Sequence, residues 1–317
     1  MTERPTLFVG RRPRRAYGNK VTLDNVSRFK TVMRGRRSAA EAPLPGTLRV
    51  DRGRPNHGFT LIELLVTITI IAVMAALLFP ALSRAKGQSQ SASCLNNLRQ
   101  LQICWQMYAG DNSDHVPPNN FVYDIISDTP MDSGPSWCTN LAPFDLDPAG
   151  IKNGLLFPFN SSLGIYHCPA DKATVQDRHG NKFAQIRWRS YNMSQSVNGV
   201  SYDGEFASYV PIFQKTTEIK DPSLPDLFVF LEVHEDEILD TQFGMPTQAT
   251  WWSQNVWWDV PANRHDQGCN FSFADGHVEH WRWKAPKAVT VPRGNVQPVA
   301  PAEQDDYNRM KTGFRQN

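Results

Sequence analysis

No GxSxG elbow, HExxH pair, glycine-rich phosphate loop or dinucleotide fingerprint occurs in the 317 residues. The enzyme classes recognisable by those motifs are therefore not indicated, and the chain reads as a non-enzyme. Cysteine is scarce: there are five, an odd number, with neither a CxxC pair nor zinc-ribbon spacing, which argues against a structural zinc and against a redox pair. There is no internal repeat and no low-complexity tract. Upstream of residue 58 nothing supplies the 7–15-residue apolar core and small-residue cleavage site of a secretory signal. The densest polar cluster, Glu232, His234, Glu235, Asp236 and Glu237, has no neighbouring serine, threonine or cysteine to act as nucleophile, so it reads as a solvated strand end.

Against these absences stands one long apolar run, from Phe59 to Leu82. At about 1.5 Å per helical residue its length matches the ~30 Å hydrocarbon layer of a bilayer. Inside it sits a single acid, Glu63, five residues after Gly58 in the stretch Gly58-Phe59-Thr60-Leu61-Ile62-Glu63-Leu64-Leu65. A carboxylate in a membrane span costs roughly 2.5–3.5 kcal/mol on insertion scales, so Glu63 needs a neutralising partner. If the chain were cut after Gly58, the new amine on Phe59 would serve, met by Glu63 of a staggered neighbour. Residues 1–58 carry 14 Lys/Arg and 4 Asp/Glu, a net of +10, which leaves −8 for residues 59–317 against a whole-chain charge of +2. The basic end is expected to stay in the cytoplasm, with the body of the chain on the other side of the membrane.

The GFTLIELLV stretch resembles the processing site of type IV pilins and type II secretion pseudopilins. The resemblance implies cleavage by the prepilin peptidase between Gly58 and Phe59 and methylation of the new N-terminal phenylalanine. Pro80 falls twenty-two residues into a chain that begins at Phe59, where the family often carries a helix-distorting proline. A 58-residue leader is long for the family, and Met33 offers an internal start that shortens it to 26 residues; the expectation is that the first Met is not the true start. The Arg11-Arg12-Pro13-Arg14-Arg15 cluster lies in this leader, so no nucleic-acid partner is inferred from it.

Beyond Pro80 the chain turns polar but keeps Leu95, Leu98, Leu101, Trp105 and Tyr108 at spacings of three and four, the apolar stripe of an amphipathic helix. A single helix over 59–110 is expected, membrane-embedded in its first half and packed on a sheet in its second. Gly110-Asp111-Asn112-Ser113-Asp114 and Pro117-Pro118 stop it. Residues 111–284 read as a periplasmic head with strand-like runs at 185–193, 227–233 and 270–273, and 285–317, with its recurring prolines, as a flexible tail. The fold class is α+β: a pilin-like long N-terminal helix on a small antiparallel sheet.

In the head, two alternating runs flank Asp275-Gly276, which predicts a β-hairpin with a two-residue turn in which both residues tolerate positive φ. His265 precedes Asp275 by ten residues, a spacing similar to the H-x9-DG element of a large group of prepilin-type proteins, and Tyr166-His167-Cys168-Pro169-Ala170-Asp171 and Ser190-Tyr191-Asn192 resemble that group's CP-x-D and SY-x-x-N segments, with Ser194 where the group's asparagine is expected. His265, Asp275, His277 and Glu279 form one candidate metal set. Asp111, Asn112, Ser113 and Asp114 form another, for calcium, which major pseudopilins of the resembled family bind in the head. Against both stands the plainer reading of a held turn and a helix stop, so no cofactor is expected. Should a disulfide form, Cys138 with Cys168 is the pair to try first, against the alternative of five free thiols. The cluster Trp251, Trp252, Trp257 and Trp258 reads as core or subunit contact in preference to a glycan site.

The resemblance implies a filament subunit, single-pass in the inner membrane, whose partners are the prepilin peptidase, other pilin or pseudopilin subunits and a secretion or pilus assembly platform. The alternative is a membrane-tethered periplasmic module whose Trp-rich head captures a glycan or protein.

Overall fold

The computed structural model describes residues 58–125, 127–199, 211–248, 250 and 254–317. The basic segment 1–57, with Met33, and Trp251 and Trp252 lie outside them. Helix α1 spans Leu61–Asp111 without interruption, about 76 Å at 1.5 Å per residue. It begins where Thr60 and Glu63 form a capping box: Thr60 Oγ1 accepts from the Glu63 amide at 3.3 Å, and the Thr60 amide donates to Glu63 Oε2 at 2.9 Å, which satisfies donors that helix geometry leaves free. It ends where Ser113 and Asp114 take left-handed backbone angles and the Asp114 amide closes onto the Ala109 carbonyl at 2.9 Å, a frequent way to finish a helix. Pro80 lies inside it and has no amide hydrogen to give to the Ala76 carbonyl one turn earlier.

The two halves of α1 live in different surroundings. From Phe59 to Leu82 the large apolar side chains are exposed, and the most apolar 18-residue window, with mean hydropathy 2.7, has none of its residues buried. From Cys94 onward one face is covered, with Cys94, Leu98, Leu101, Gln102, Cys104, Trp105 and Ala109 buried and Leu95 and Tyr108 at its margins. The expected stripe is present, centred on Cys94, Leu98 and Leu101.

The strands are β1 (Asn119–Asp124), β2 (Thr129–Ser136), β3 (Thr174–Gln176), β4 (Lys182–Ile186), β5 (Tyr191–Ser194), β6 (Phe228–Glu232), β7 (Gln242–Phe243), β8 (Val256–Trp257), β9 (Gly268–Phe273), β10 (Val278–Arg282) and β11 (Gln297–Pro298). Five form the main sheet in the order β10-β9-β6-β5-β7, antiparallel except for the parallel edge pair β5–β7. The run expected at 185–193 is two strands: β4 pairs with β3 outside the main sheet, and β5 enters it. Short helices α2 (Ala149–Lys152) and α3 (Gln304–Lys311) complete the named helices.

α1 packs over β6, β9 and β10. On β9, Ser272 Oγ donates to Gln102 Oε1 at 3.0 Å, so the helix-facing side of this strand is held by hydrogen bonding to α1. The opposite face is covered by the C-terminal segment. Tyr307, Met310 and Phe314 are buried there, with Phe314 5.7 Å from Phe228 and 5.9 Å from Phe243 between ring centroids, and buried Lys287 meets Asp306 at 2.7 Å. The stretch expected as a flexible tail therefore forms the third layer of the head. Its prolines obscure the few apolar side chains that bury it. Coverage on both faces explains why every residue of β6 and β9 is buried.

The Asp275-Gly276 hairpin is present, with β9 and β10 paired from Ser272↔Val278 to Gly268↔Arg282. Its turn differs from the expected one. Gly276 alone takes positive φ, at 103°, while the Gly276 amide bonds the Phe273 carbonyl at 2.9 Å and the Phe273 amide the His277 carbonyl at 3.0 Å. That is a three-residue loop closed by a glycine bulge.

Candidate functional site

Gly58 and Phe59 lie just before the helix, outside regular structure. Phe59 is 69 % exposed, and a Cβ on Gly58 would meet nothing within 4 Å. The peptide bond joining them is accessible. One turn into α1, Glu63 Oε2 accepts from both the Thr60 amide at 2.9 Å and Thr60 Oγ1 at 2.8 Å. One of its two oxygens is thus held locally in a single chain, while its charge has no cation beside it among the described residues. Thr67 and Thr69 return their hydroxyls to the Leu64 and Leu65 carbonyls at 2.8 and 2.7 Å, leaving Glu63 as the one ionisable group of the apolar half.

A second concentration of function-bearing side chains lies where α1 meets the head. Asp171 accepts from Arg187 Nε at 2.8 Å and Ser190 Oγ at 2.7 Å and has Arg264 at 3.5 Å. Burial pushes its carboxyl up, but the Arg264 and Arg187 guanidiniums outweigh that and hold it well below the usual carboxylate range. Next to this network, His265 Nε2 lies 3.3 Å from Cys168 Sγ and 3.2 Å from Glu232 Oε1. Burial opposes the charged forms of both partners. The mutual hydrogen bond and opposite charge prevail, lowering Glu232 to about 2 and raising His265 to about 10. Cys94 completes the group from α1: its Sγ accepts from Tyr191 Oη at 3.3 Å. Among the described residues, Cys94, Cys168, Glu232 and His265 are the set whose donor atoms could share one metal ion, all lying within 4.8 Å of one another.

Residues 53–79 match the family model described as the prokaryotic N-terminal methylation motif. The chain is 33 % identical over 74 residues to the type II secretion system core protein G of Escherichia coli (strain K12), and 40 % identical over 87 residues to the type IV wide pilus major component PilA4 of Thermus thermophilus. Residues 53–79 therefore carry a prepilin-type N-terminal motif. Each match covers 23 % of the chain, which spans half the length of the first relative and 66 % of the second. No solved structure matches it.

Elsewhere in the head the structure departs from the sequence reading at several points. The set His265, Asp275, His277 and Glu279 is not brought together: His277 pairs with Asp275 at 2.6 Å and Glu279 at 3.6 Å at the partly exposed hairpin, while His265 turns to Cys168 and Glu232. Asp111 is exposed at the end of α1. Asp114 is occupied by Thr217, through its amide at 3.1 Å and its hydroxyl at 2.6 Å, and by the Thr216 hydroxyl, which makes it a turn lock between the helix exit and the 216–218 segment. Cys138 and Cys168 do not pair: all five cysteines are buried and free, and Cys168 faces His265. The acidic stretch read as solvated is split, with Glu232 and Glu237 buried and Asp236 exposed. Trp105, Trp137, Trp257, Trp281 and Trp283 are core side chains, Trp257 meeting Tyr307 edge-on at 4.9 Å. Sequence reasoning missed Cys94 and Glu232 as site residues. The signal available was Cys94 at the centre of the buried α1 stripe, since a cysteine there faces whatever the helix packs upon.

Proposed function

We propose that this chain is a structural subunit of a type IV pilus or type II secretion pseudopilus, cut between Gly58 and Phe59 by the prepilin peptidase, methylated on Phe59 and held in the inner membrane by the first half of α1 until assembly. The observation that carries this reading is an apolar helix with no covered face that nevertheless keeps one carboxylate, Glu63, in its first turn beside an accessible Gly58–Phe59 bond. A helix apolar all round is suited to lipid or to other such helices. In a filament the apolar halves pack together, and Glu63 of one subunit meets the Phe59 amine of the next. At about 4 Å and an effective dielectric near 20 that attraction is about 4 kcal/mol before desolvation is subtracted, and it acts only in the axial register that brings the two groups together.

The intact mass of the membrane-extracted protein, from its host with and without the prepilin peptidase, tests the processing. A chain beginning at methylated Phe59 only when the peptidase is present is the expected result. An uncut chain in both hosts would remove the filament reading and leave a membrane-tethered head. Glu63→Val tests the assembly step: the variant should reach the membrane and be processed yet yield few filaments, and normal filament numbers would show that Glu63 does not set the register.

A further inference from the structure

We propose that Cys94, Cys168, Glu232 and His265 form a binding site for one divalent metal ion of the zinc class, which fastens α1 to the head. The four residues come from four separate elements: α1, the Cys-Pro turn, the end of β6 and the loop before β9. Cys94, Cys168 and Glu232 are fully buried and the His265 side chain is 1 % exposed. Sulfur, nitrogen and carboxylate oxygen are the donors zinc takes, four at a time in structural sites. Bonds of about 2.0–2.3 Å in a tetrahedron place neighbouring donors roughly 3.3–3.8 Å apart. The Cys168–His265 and His265–Glu232 edges are 3.3 and 3.2 Å, and no edge exceeds 4.8 Å, so a central ion requires only small inward movements of the donors.

The surroundings are those that orient ligands. The Ala170 amide donates to Cys168 Sγ at 3.4 Å, Tyr191 Oη to Cys94 Sγ at 3.3 Å, and the Asn270 amide to Glu232 Oε2 at 2.9 Å, each stabilising negative charge on a donor while leaving it free to face the ion. His265, Asp266 and Gln267 all take left-handed backbone angles, φ 53, 66 and 61°, in a loop closed at both ends by Arg264–Gly268 hydrogen bonds. Three consecutive non-glycine residues in that region cost energy, and the conformation places the imidazole against Cys168 and Glu232. Charge also balances. Two thiolates, one carboxylate and a neutral imidazole carry −3; a dication leaves −1, and Arg264 lies 3.5 Å from Glu232 to offset it. On binding, the two thiol protons and the proton on His265 Nε2 pass to solvent. A disulfide between Cys94 and Cys168 would account for the two sulfurs but not for the convergence of Glu232 and His265 on the same point.

The test uses the full chain, purified in detergent without chelator, loaded with Zn²⁺ alone and dialysed. One zinc per chain is expected in the wild type, and replacement by Co²⁺ should give a thiolate-to-cobalt charge-transfer absorption. Cys94→Ser and His265→Ala should retain less than a tenth of the metal. Tyr191→Phe removes only the hydroxyl that touches Cys94 and should weaken zinc affinity 10–100-fold; it decides the matter if the ligand variants fail to fold, as judged by near-ultraviolet circular dichroism. Zinc-free folded wild type, unchanged zinc affinity in Tyr191→Phe, or a Cys94–Cys168 cross-linked peptide lighter by two hydrogens would each overturn the proposal.

Discussion

Replacing Glu237 by glutamine should stabilise the head above neutral pH and leave it unchanged in acid. Glu237 is 3 % exposed in the turn after β6. Its Oε1 accepts one bond, from the Gly294 amide at 3.3 Å, and its Oε2 has no hydrogen-bond partner among the described residues. Burial raises its pKa to about 7; the Gly294 hydrogen bond and Arg293 oppose this, whereas Asp240 and Asp236 add to it, and Asp259 nearby feels the same negative charge. Below the unfolded pKa near 4.5 both states are protonated and the group contributes nothing. Between about 4.5 and 7 the unfolded chain releases the proton while the folded chain keeps it, so stability falls as pH rises. At about 1.36 kcal/mol per pH unit the loss reaches about 3 kcal/mol by pH 7 and stays constant beyond. Glutamine removes the penalty and retains the acceptor for Gly294. Urea unfolding of wild type and Glu237→Gln at pH 4.5 and pH 8, followed by tryptophan fluorescence, should show coincident curves at the lower pH and a variant more stable by up to about 3 kcal/mol at the higher. A difference independent of pH would refute the assignment of a buried, proton-retaining carboxyl.

Two further outcomes follow from the buried contacts. Asp171→Asn keeps the shape of the side chain but leaves Arg187 and Arg264 without their shared anion; a loss of about 3–5 kcal/mol is expected in chemical unfolding, and a loss below 1 kcal/mol would mean that the guanidiniums are balanced elsewhere. Met310→Ala, in the C-terminal layer, should cost about 2–5 kcal/mol, and near-neutral behaviour would show that this layer detaches readily from the sheet.

What could be read from the sequence was local. The stop at residues 110–114 announces the end of α1 through its own backbone chemistry, and the stripe from Leu95 to Tyr108 reports which face is covered. Asp275-Gly276 announces a hairpin for the same reason, although the turn type depended on which residue took positive φ, and Asp275 did not. What escaped was made by pairing at a distance. Glu232 ends an apolar run in an acidic stretch and looks solvated, yet β6 is the middle strand of five and carries its last residue into the interior. Cys168 and His265 are 97 residues apart, and no spacing rule connects them. The C-terminal segment reads as polar because Tyr307, Met310 and Phe314 are few, but these side chains join Trp257, Met245 and Val299 in burying one face of the sheet.

The apolar run of α1 ends at Leu82, and the first side-chain hydrogen bond from the helix to the head comes from Gln90, which bonds the Pro169 carbonyl at 3.1 Å. Between them runs a bare stretch of helix, residues 83–89, with only Gly87 partly covered. Such a neck fixes azimuth as well as height. Each residue turns the head by about 100° about the helix axis and moves it by about 1.5 Å, so in the filament proposed above the neck's length would determine which side of the head looks outward. One residue more or less would leave both ends intact and face the head in the wrong direction, whereas a change of seven, close to two whole turns, would nearly restore the bearing while shifting the head by about 10 Å. The neck is therefore the part of the chain where length carries meaning and side-chain identity carries little.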